Sequence, residues 1–253
     1  MQFQNKTAIS TGAASGMGLC LAQNWAAEGG NVLMCDINDE VLAEKVAEIN
    51  AKGVGRAVAC HCDVRDYEQV CAARDMAVAE FGSIDLMCNF AGGTAVRMCK
   101  VDGSKYPTFC DVPIEVFDWG LDVNLRAQLY FDHAVMKQMR EQRSGLIINI
   151  GSITGEEGDG YGVEYGAAKS GAMYGLTKGI AKAGAPYGVR CVCVSPGPVL
   201  TRAAMANMKT LLGRAAEPQE IIDLVLFLAS DKGQFINGTN ILIDGGRNAM
   251  NRG

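Results

Sequence analysis

Close to the start of the chain stands Thr11–Gly18, TGAASGMG, directly behind the apolar-rich KTAIS of residues 6–10. Gly12, Gly16 and Gly18 fall where a strand-like run gives way to the helical pattern of residues 16–27. A helix N-terminus carries unpaired N–H groups and roughly half a positive charge, so it attracts phosphate. Glycines there let a pyrophosphate reach those groups because no Cβ stands in the way. The spacing is G-x-x-x-G-x-G, however, not the G-x-G-x-x-G of the dinucleotide fingerprint. Taken alone, the stretch fits either a phosphate cradle or an unspecialised tight turn, and the rest of the chain decides between them.

Beyond it, short apolar runs alternate with longer helical patterns. Strands are expected at 6–11, 31–36, 56–61, 84–90, 146–151, 189–195 and 239–243, and helices at 16–27, 39–51, 66–81, 114–142, 165–183 and 218–228. Asn38 in INDE is an N-cap candidate with acids in the following turn. Strand–helix alternation of this kind predicts a doubly wound α/β fold: a single parallel sheet of about seven strands with helices on both faces. The glycine turn then lies at the carboxyl end of the first strand, where such sheets bind ligands. The second strand ends in VLMCD, placing Asp36 eighteen residues after Gly18. A carboxylate there accepts both hydroxyls of an adenosine ribose and repels a 2′-phosphate. Ile37 follows, and no Arg or Lys lies within the glycine stretch, so NAD is favoured over NADP.

Composition narrows the class. The chain has 253 residues, 49% hydrophobic and 20% charged, with a formal charge of −5 and no linker-like run, which predicts one domain spanning 1–253. Acids and bases are interspersed, against the basic stripe a nucleic-acid binder needs. The absence of a signal-like N-terminus or a long apolar run predicts a soluble cytoplasmic protein with no membrane partner. Ten cysteines sit largely in apolar runs and read as reduced core thiols, and CHCD at 60–63 has no second pair to complete a metal site.

The chemistry-bearing residues come last. YGAAK places Tyr165 and Lys169 four apart, on one helix face. Ser152 closes the strand-like LIINIGS thirteen residues before Tyr165, and Asn124 lies upstream in LDVNL. With TGAASGMG, these residues resemble the classical short-chain dehydrogenase/reductase family, and the resemblance covers essentially the whole chain. Asp63 and Val64 in CDV are similar to the family's adenine-contacting segment. Asn89, Ala91 and Gly92 in NFAGG resemble its N-N-A-G motif, with Phe90 in place of the second Asn. Pro196, Gly197, Val199 and Thr201 in SPGPVLT are similar to the segment flanking the nicotinamide.

The resemblance implies a Rossmann fold that binds NAD through these residues together with Gly12, Ser15, Gly16, Met17, Gly18, Asp36, Ile37, Tyr165 and Lys169. It implies Tyr165 as general acid/base, Lys169 as its activator, Ser152 as hydrogen-bond donor to the substrate oxygen, and Asn124 as anchor of a water relay; no metal is implied. Physics agrees. Bringing a tyrosine from a pKa of about 10 to about 7 takes about 4 kcal/mol. A cation about 4 Å away at an effective dielectric of about 20 supplies that amount.

The substrate is an alcohol or ketone small molecule, and three segments bear on its identity. Residues 93–112 form an insertion carrying Arg97, Lys100, Lys105, Tyr106 and Phe109, read as a surface excursion or a lid. Residues 153–165 carry Glu156, Glu157, Asp159 and Glu164, which suit a hydroxyl-rich or cationic substrate if any faces inward. Residues 200–212, with Met205 and Met208, read as a short lid. A sugar, polyol or cyclitol is the first expectation. The alternatives are a hydroxysteroid or other bulky secondary alcohol, a 3-oxoacyl chain on acyl carrier protein, or NAD(H) binding by a regulator without turnover. The family resemblance also implies a homo-oligomer, dimer or tetramer, built on the two longest helices and the last strand, with the tail of residues 245–253 as a further candidate contact.

Overall fold

The computed structural model describes residues 1–95, 99 and 108–250. The apolar runs become seven strands: β1 (Thr7–Thr11), β2 (Asn31–Asp36), β3 (Arg56–His61), β4 (Leu86–Cys88), β5 (Gly145–Ile150), β6 (Val189–Pro196) and β7 (Asn240–Ile243). All pair in parallel in the order β3-β2-β1-β4-β5-β6-β7. Period-2 alternation divides each strand between two cores. In β2, Val32 and Met34 face one side while Leu33 and Cys35 face the other. In β5, Leu146 and Ile148 oppose Ile147 in the same way.

The helices are α1 (Gly16–Ala27), α2 (Asp39–Asn50), α3 (Tyr67–Phe81), α4 (Ile114–Leu121), α5 (Ala127–Gln142), α6 (Thr154–Glu157), α7 (Val163–Gly171), α8 (Thr177–Gly184) and α9 (Pro218–Ala229). Leu21 and Trp25 of α1, Leu42 of α2 and Ile221, Ile222 and Val225 of α9 seal one face. Val70 and Ala73 of α3, Phe131, Val135 and Met139 of α5 and Ala181 of α8 seal the other. Caps set the boundaries. Asn38 accepts the Val41 N–H ahead of α2, and Asp66 accepts those of Glu68 and Gln69, so α3 begins one residue later than expected.

The two longest helices are not regular α-helices. A π-helical turn at Asp122–Arg126 joins α4 to α5, and another at Ala172–Leu176 joins α7 to α8. Side chains accommodate the backbone groups there. Asn124 donates to the Gly120 carbonyl at 2.8 Å, and Thr177 donates to the Ala172 carbonyl at 2.7 Å. π-turns of this kind recur at functional sites, and the first one carries Asn124.

All ten cysteines are free, and Cys35, Cys60, Cys62, Cys88, Cys191 and Cys193 are buried, whereas Cys110 is exposed. In CHCD, Cys60 and Cys62 point into the core while His61 points out and meets Asp39 at 2.8 Å. Among the described residues no three metal-ligating side chains gather, and no helix is long and apolar enough to cross a membrane.

Candidate active site

The glycine turn lies at the carboxyl edge of the sheet between β1 and β4, where the strand order changes direction. Such a switch point opens a crevice beyond the strand ends. Gly12 has φ +62°, and a Cβ on it would stand 3.2 Å from Cα of Ala91. A Cβ on Gly18 would stand 2.5 Å from the Gly12 carbonyl oxygen. Ser15, extended at the start of α1, makes no side-chain cap bond, and no acid occupies the first turn. The positive end of α1 thus has no acid in its own cap or first turn. Gly18→Ala presses a methyl against backbone that cannot rotate away. We expect a loss of about 1–3 kcal/mol in urea denaturation.

Asp36 ends β2 beside this turn. Its Oδ2 accepts the Ala14 N–H and its Oδ1 the Asn38 N–H, both at 3.0 Å, so the carboxylate is pinned with lone pairs remaining. Ile37 beside it is 66% exposed, an apolar surface at the rim. Asp63 follows β3 and is held by Arg65 at 2.5 Å, which keeps its carboxyl below the ordinary range. Val64 is buried next to it.

After β4 the chain turns sharply. Asn89 directs its amide inward, donating to Asp132 at 2.9 Å and to Asn149 at 3.0 Å, so its side chain belongs to the sheet interior and Phe90 takes the cleft wall. Burial lifts Asp132 in this network to about 7. Ala91 donates to Thr11 Oγ1 at 3.0 Å. Gly92 lies so close to Asn124 that a Cβ would meet Oδ1 at 2.6 Å. Asn124 accepts the Gly93 N–H at 3.0 Å and donates to the Gly93 and Gly120 carbonyls at 2.8 Å. Both its amide hydrogens are therefore committed to holding this loop on α4.

Ser152 follows β5, and its Oγ accepts the Thr154 N–H at 3.1 Å, leaving the hydroxyl hydrogen to donate elsewhere. Tyr165 and Lys169 project from one face of α7 into the same cleft. Lys169 Nζ lies 5.6 Å from the Tyr165 ring centre and donates to the Ile150 carbonyl at 2.8 Å. The residue is buried, and loss of hydration pushes its ammonium down to about 8.

These parts share one cavity of about 510 Å³. It is lined by Ser15, Gly16, Met17, Gly92, Ser152, Tyr165, Lys169, Pro196, Gly197, Val199 and Thr201 among the expected residues. A wider hollow of about 800 Å³ sits at the amino ends of the strands, near Lys6, Gly145 and Val189, and contains none of them. Its position opposes the carboxyl-edge rule for such sheets.

The substrate-side segments separate clearly. Glu157 is bound by Arg247 at 2.9 Å, so the C-terminal segment folds back onto this loop. Glu156 accepts the Tyr174 hydroxyl. Glu164 is buried against Gly120, and burial raises its carboxyl. Asp159 alone of the four acids lines the cavity. In the insertion, Gly93 and Thr94 reach the cavity and Phe109 stacks on Phe117 at 5.5 Å. Arg97, Lys100, Lys105 and Tyr106 lie outside the described residues, as do residues 251–253 of the tail. Sequence reasoning missed Phe90, Thr94 and Arg202 as cavity walls. For Arg202, its place directly after Thr201 was a signal within reach.

A family model described as enoyl-(acyl carrier protein) reductase matches residues 12–248. Trans-4-hydroxycyclohexanecarboxylate dehydrogenase of Sinomonas cyclohexanicum is 40% identical over 97% of this chain and 94% of its own. 7alpha-hydroxysteroid dehydrogenase of Bacteroides fragilis is 32% identical over 97% of this chain and 95% of its own. The crystal structure of a 3-oxoacyl-[acyl-carrier protein] reductase with bound NAD, from Brucella melitensis, is also similar. It superposes with a TM-score of 0.86 at 30% identity, covering 97% of this chain and 92% of that one. The chain belongs to the classical short-chain dehydrogenase/reductase family, whose members work with a nicotinamide cofactor, and it is an oxidoreductase.

Proposed function

We propose that this chain interconverts a secondary alcohol on an alicyclic ring with its ketone, using NAD⁺ and NADH and Tyr165 as general acid/base. The observation that carries this reading is convergence. Ser152, Tyr165 and Lys169 line the same cleft as the glycine turn and the Pro196–Thr201 segment. That convergence favours turnover over a regulator that only binds. The ring preference rests on the walls. Ile153, Pro198, Met205 and Met208 are apolar, and the single inward acid, Asp159, is less than the acidic loop suggested for a sugar or polyol. By name, the 40%-identical relative acts on a cyclohexane ring and the steroid enzyme on fused rings.

The residues fit a dinucleotide. The crowding at Gly12 and Gly18 leaves backbone where a phosphate needs it, α1 lacks an anion of its own, and Asp36 offers a fixed carboxylate. We assign NAD-binding roles to Gly12, Ser15, Gly16, Met17, Gly18, Asp36, Ile37, Asp63, Val64, Ala91, Gly92, Pro196, Gly197, Val199 and Thr201, and to Asn89 through its main chain. When bound, NAD⁺ supplies the hydride acceptor. Tyr165 takes the proton from the substrate hydroxyl, and Ser152 donates to the oxygen whose charge changes. Lys169 favours the phenolate by its charge while Ile150 holds it in place. Asn124 keeps Gly92 and Gly93 against the site through its side-chain amide. In the reverse direction Tyr165 returns the proton to the forming alcohol.

The test is NADH formation on a panel of cyclohexanols, threitol and a 7-hydroxysteroid, with an acetoacetyl thioester and NADH in the other direction. Fastest turnover on the ring alcohols is expected, and activity confined to the thioester overturns the reading. Cofactor choice is tested separately. Asp36→Ala removes the ribose acceptor and the repulsion of a 2′-phosphate. The NADH-over-NADPH ratio of kcat/KM should fall about 10- to 100-fold, and an unchanged ratio would remove Asp36 from cofactor selection. Leu121, Leu129 and Tyr174 expose apolar surface on α4, on α5 and on the π-turn between α7 and α8, which supports assembly of copies of this chain through those helices.

A further inference from the structure

We propose that Arg202 makes this cleft selective for alcohols that carry an anionic group, a carboxylate, at the end of the ring away from the reacting carbon. This rests on the reading above that Ser152 and Tyr165 oxidise a ring alcohol; it adds what the far end of that alcohol bears.

Two cations line the cleft among the described residues, Lys169 and Arg202. Lys169 is buried behind Tyr165 and bonded to the Ile150 carbonyl, so it is committed to the reacting end. Arg202 stands on the opposite lid, between Thr201 and the 3₁₀ turn Ala203–Asn207. Among the described residues its polar contact is a weak one, from Nη2 to Met205 Sδ at 3.9 Å. Arg202 is exposed at the cleft wall, and no carboxylate of the described residues pairs with it. The one acid that lines the cleft, Asp159, uses Oδ1 to accept the Tyr161 N–H within its own loop. The cleft that holds Ser152, Tyr165 and Arg202 is also walled by Ile153, Met205 and Met208, which suit hydrocarbon. A planar guanidinium binds carboxylate through two parallel hydrogen bonds, stronger than neutral ones and geometrically selective. An apolar ring with a hydroxyl at one end and a carboxylate at the other matches this set of surfaces.

One rival use of Arg202 is a cofactor phosphate. Thr201 comes within 3.4 Å of where a Cβ on Gly16 would be, so the lid touches the glycine turn one residue away. The experiment separates the two. Steady-state kcat/KM is measured for trans-4-hydroxycyclohexanecarboxylate and for its methyl ester, which keeps the ring and loses the charge. The wild type, Arg202→Met and Arg202→Lys are compared, with NADH dissociation constants from fluorescence titration. The wild type should prefer the acid. Arg202→Met should lower the acid-to-ester ratio by about 10- to 100-fold, chiefly through KM, and Arg202→Lys should restore part of it. NADH affinity should shift by less than about threefold. A wild type that takes the ester as readily as the acid, or a ratio that Arg202→Met leaves unchanged, overturns the inference while the ring-alcohol reading stands. Equal losses on both substrates with a matching rise in the NADH dissociation constant also overturn it, in favour of phosphate. No turnover of any secondary alcohol overturns both readings together.

Discussion

Tyr165→Phe is expected to lower kcat/KM for alcohol oxidation by about 10²- to 10⁴-fold while NADH binds nearly as before. The substitution removes one oxygen and leaves the ring, which shares α7 with Lys169 and borders the cleft. Cofactor contacts proposed for the glycine turn, Asp36 and the Pro196–Thr201 segment lie on other elements. The loss should therefore fall on proton transfer. The readouts are NADH formation under saturating NAD⁺ and a separate NADH titration. Turnover within about threefold of wild type would leave the phenol without a part in the reaction, and the mechanism would need another base. Equal loss of turnover and NADH affinity would assign the hydroxyl to cofactor binding instead.

The architecture was legible because burial imposes periodicity. β2 falls on the expected residues since β1 and β3 flank it and force a nearly continuous apolar run, while β3, at the sheet edge, shows as an alternation of buried and open positions. Asp36 was legible for the same reason: it is the first acid after such a run. What the sequence hid are departures that keep the hydrophobic pattern intact. The π-turns at Asp122–Arg126 and Ala172–Leu176 leave the apolar spacing helical, and only Asn124 and Thr177 bonding back to carbonyls betrays them. Long-range pairing was equally invisible. Asn89 reads from its motif as a sheet and cofactor contact, but nothing in the motif names Asp132, forty-three positions on, which draws its side chain into the sheet. The acidic loop was legible only in part for a related reason: of its four acids Asp159 alone lines the cavity. Its charges look available in the sequence, but Arg247 takes Glu157 from ninety residues away and Gly120 makes room for Glu164.

Lys169 ties the fold's stability to its chemistry, and Lys169→Met should separate them. At pH 7 the variant should lose most of its turnover and yet unfold at higher urea concentration than the wild type. The ammonium is buried with one hydrogen bond among the described residues, to Ile150, and hydration loss moves it from 10.5 down to about 8. A base whose folded pKa lies below its unfolded one binds fewer protons in the native state between those values. Its destabilising contribution is therefore fully present below about 8 and disappears as pH rises past 10.5. The gap of some two and a half units corresponds to roughly 3 kcal/mol. Methionine has a similar reach and no charge to bury. The Ile150 carbonyl keeps a donor, since Gln128 Nε2 reaches it at 3.2 Å, so the lost bond costs about 1 kcal/mol. A net gain of about 2 kcal/mol at pH 7 follows, shrinking toward zero or below as the pH approaches 10.5. Urea titrations at both pH values measure it directly. A variant less stable than wild type by the same amount at both pH values would mean that Lys169 is not held against its hydration. The charge beside Tyr165 would then be sustained by neighbours that favour it.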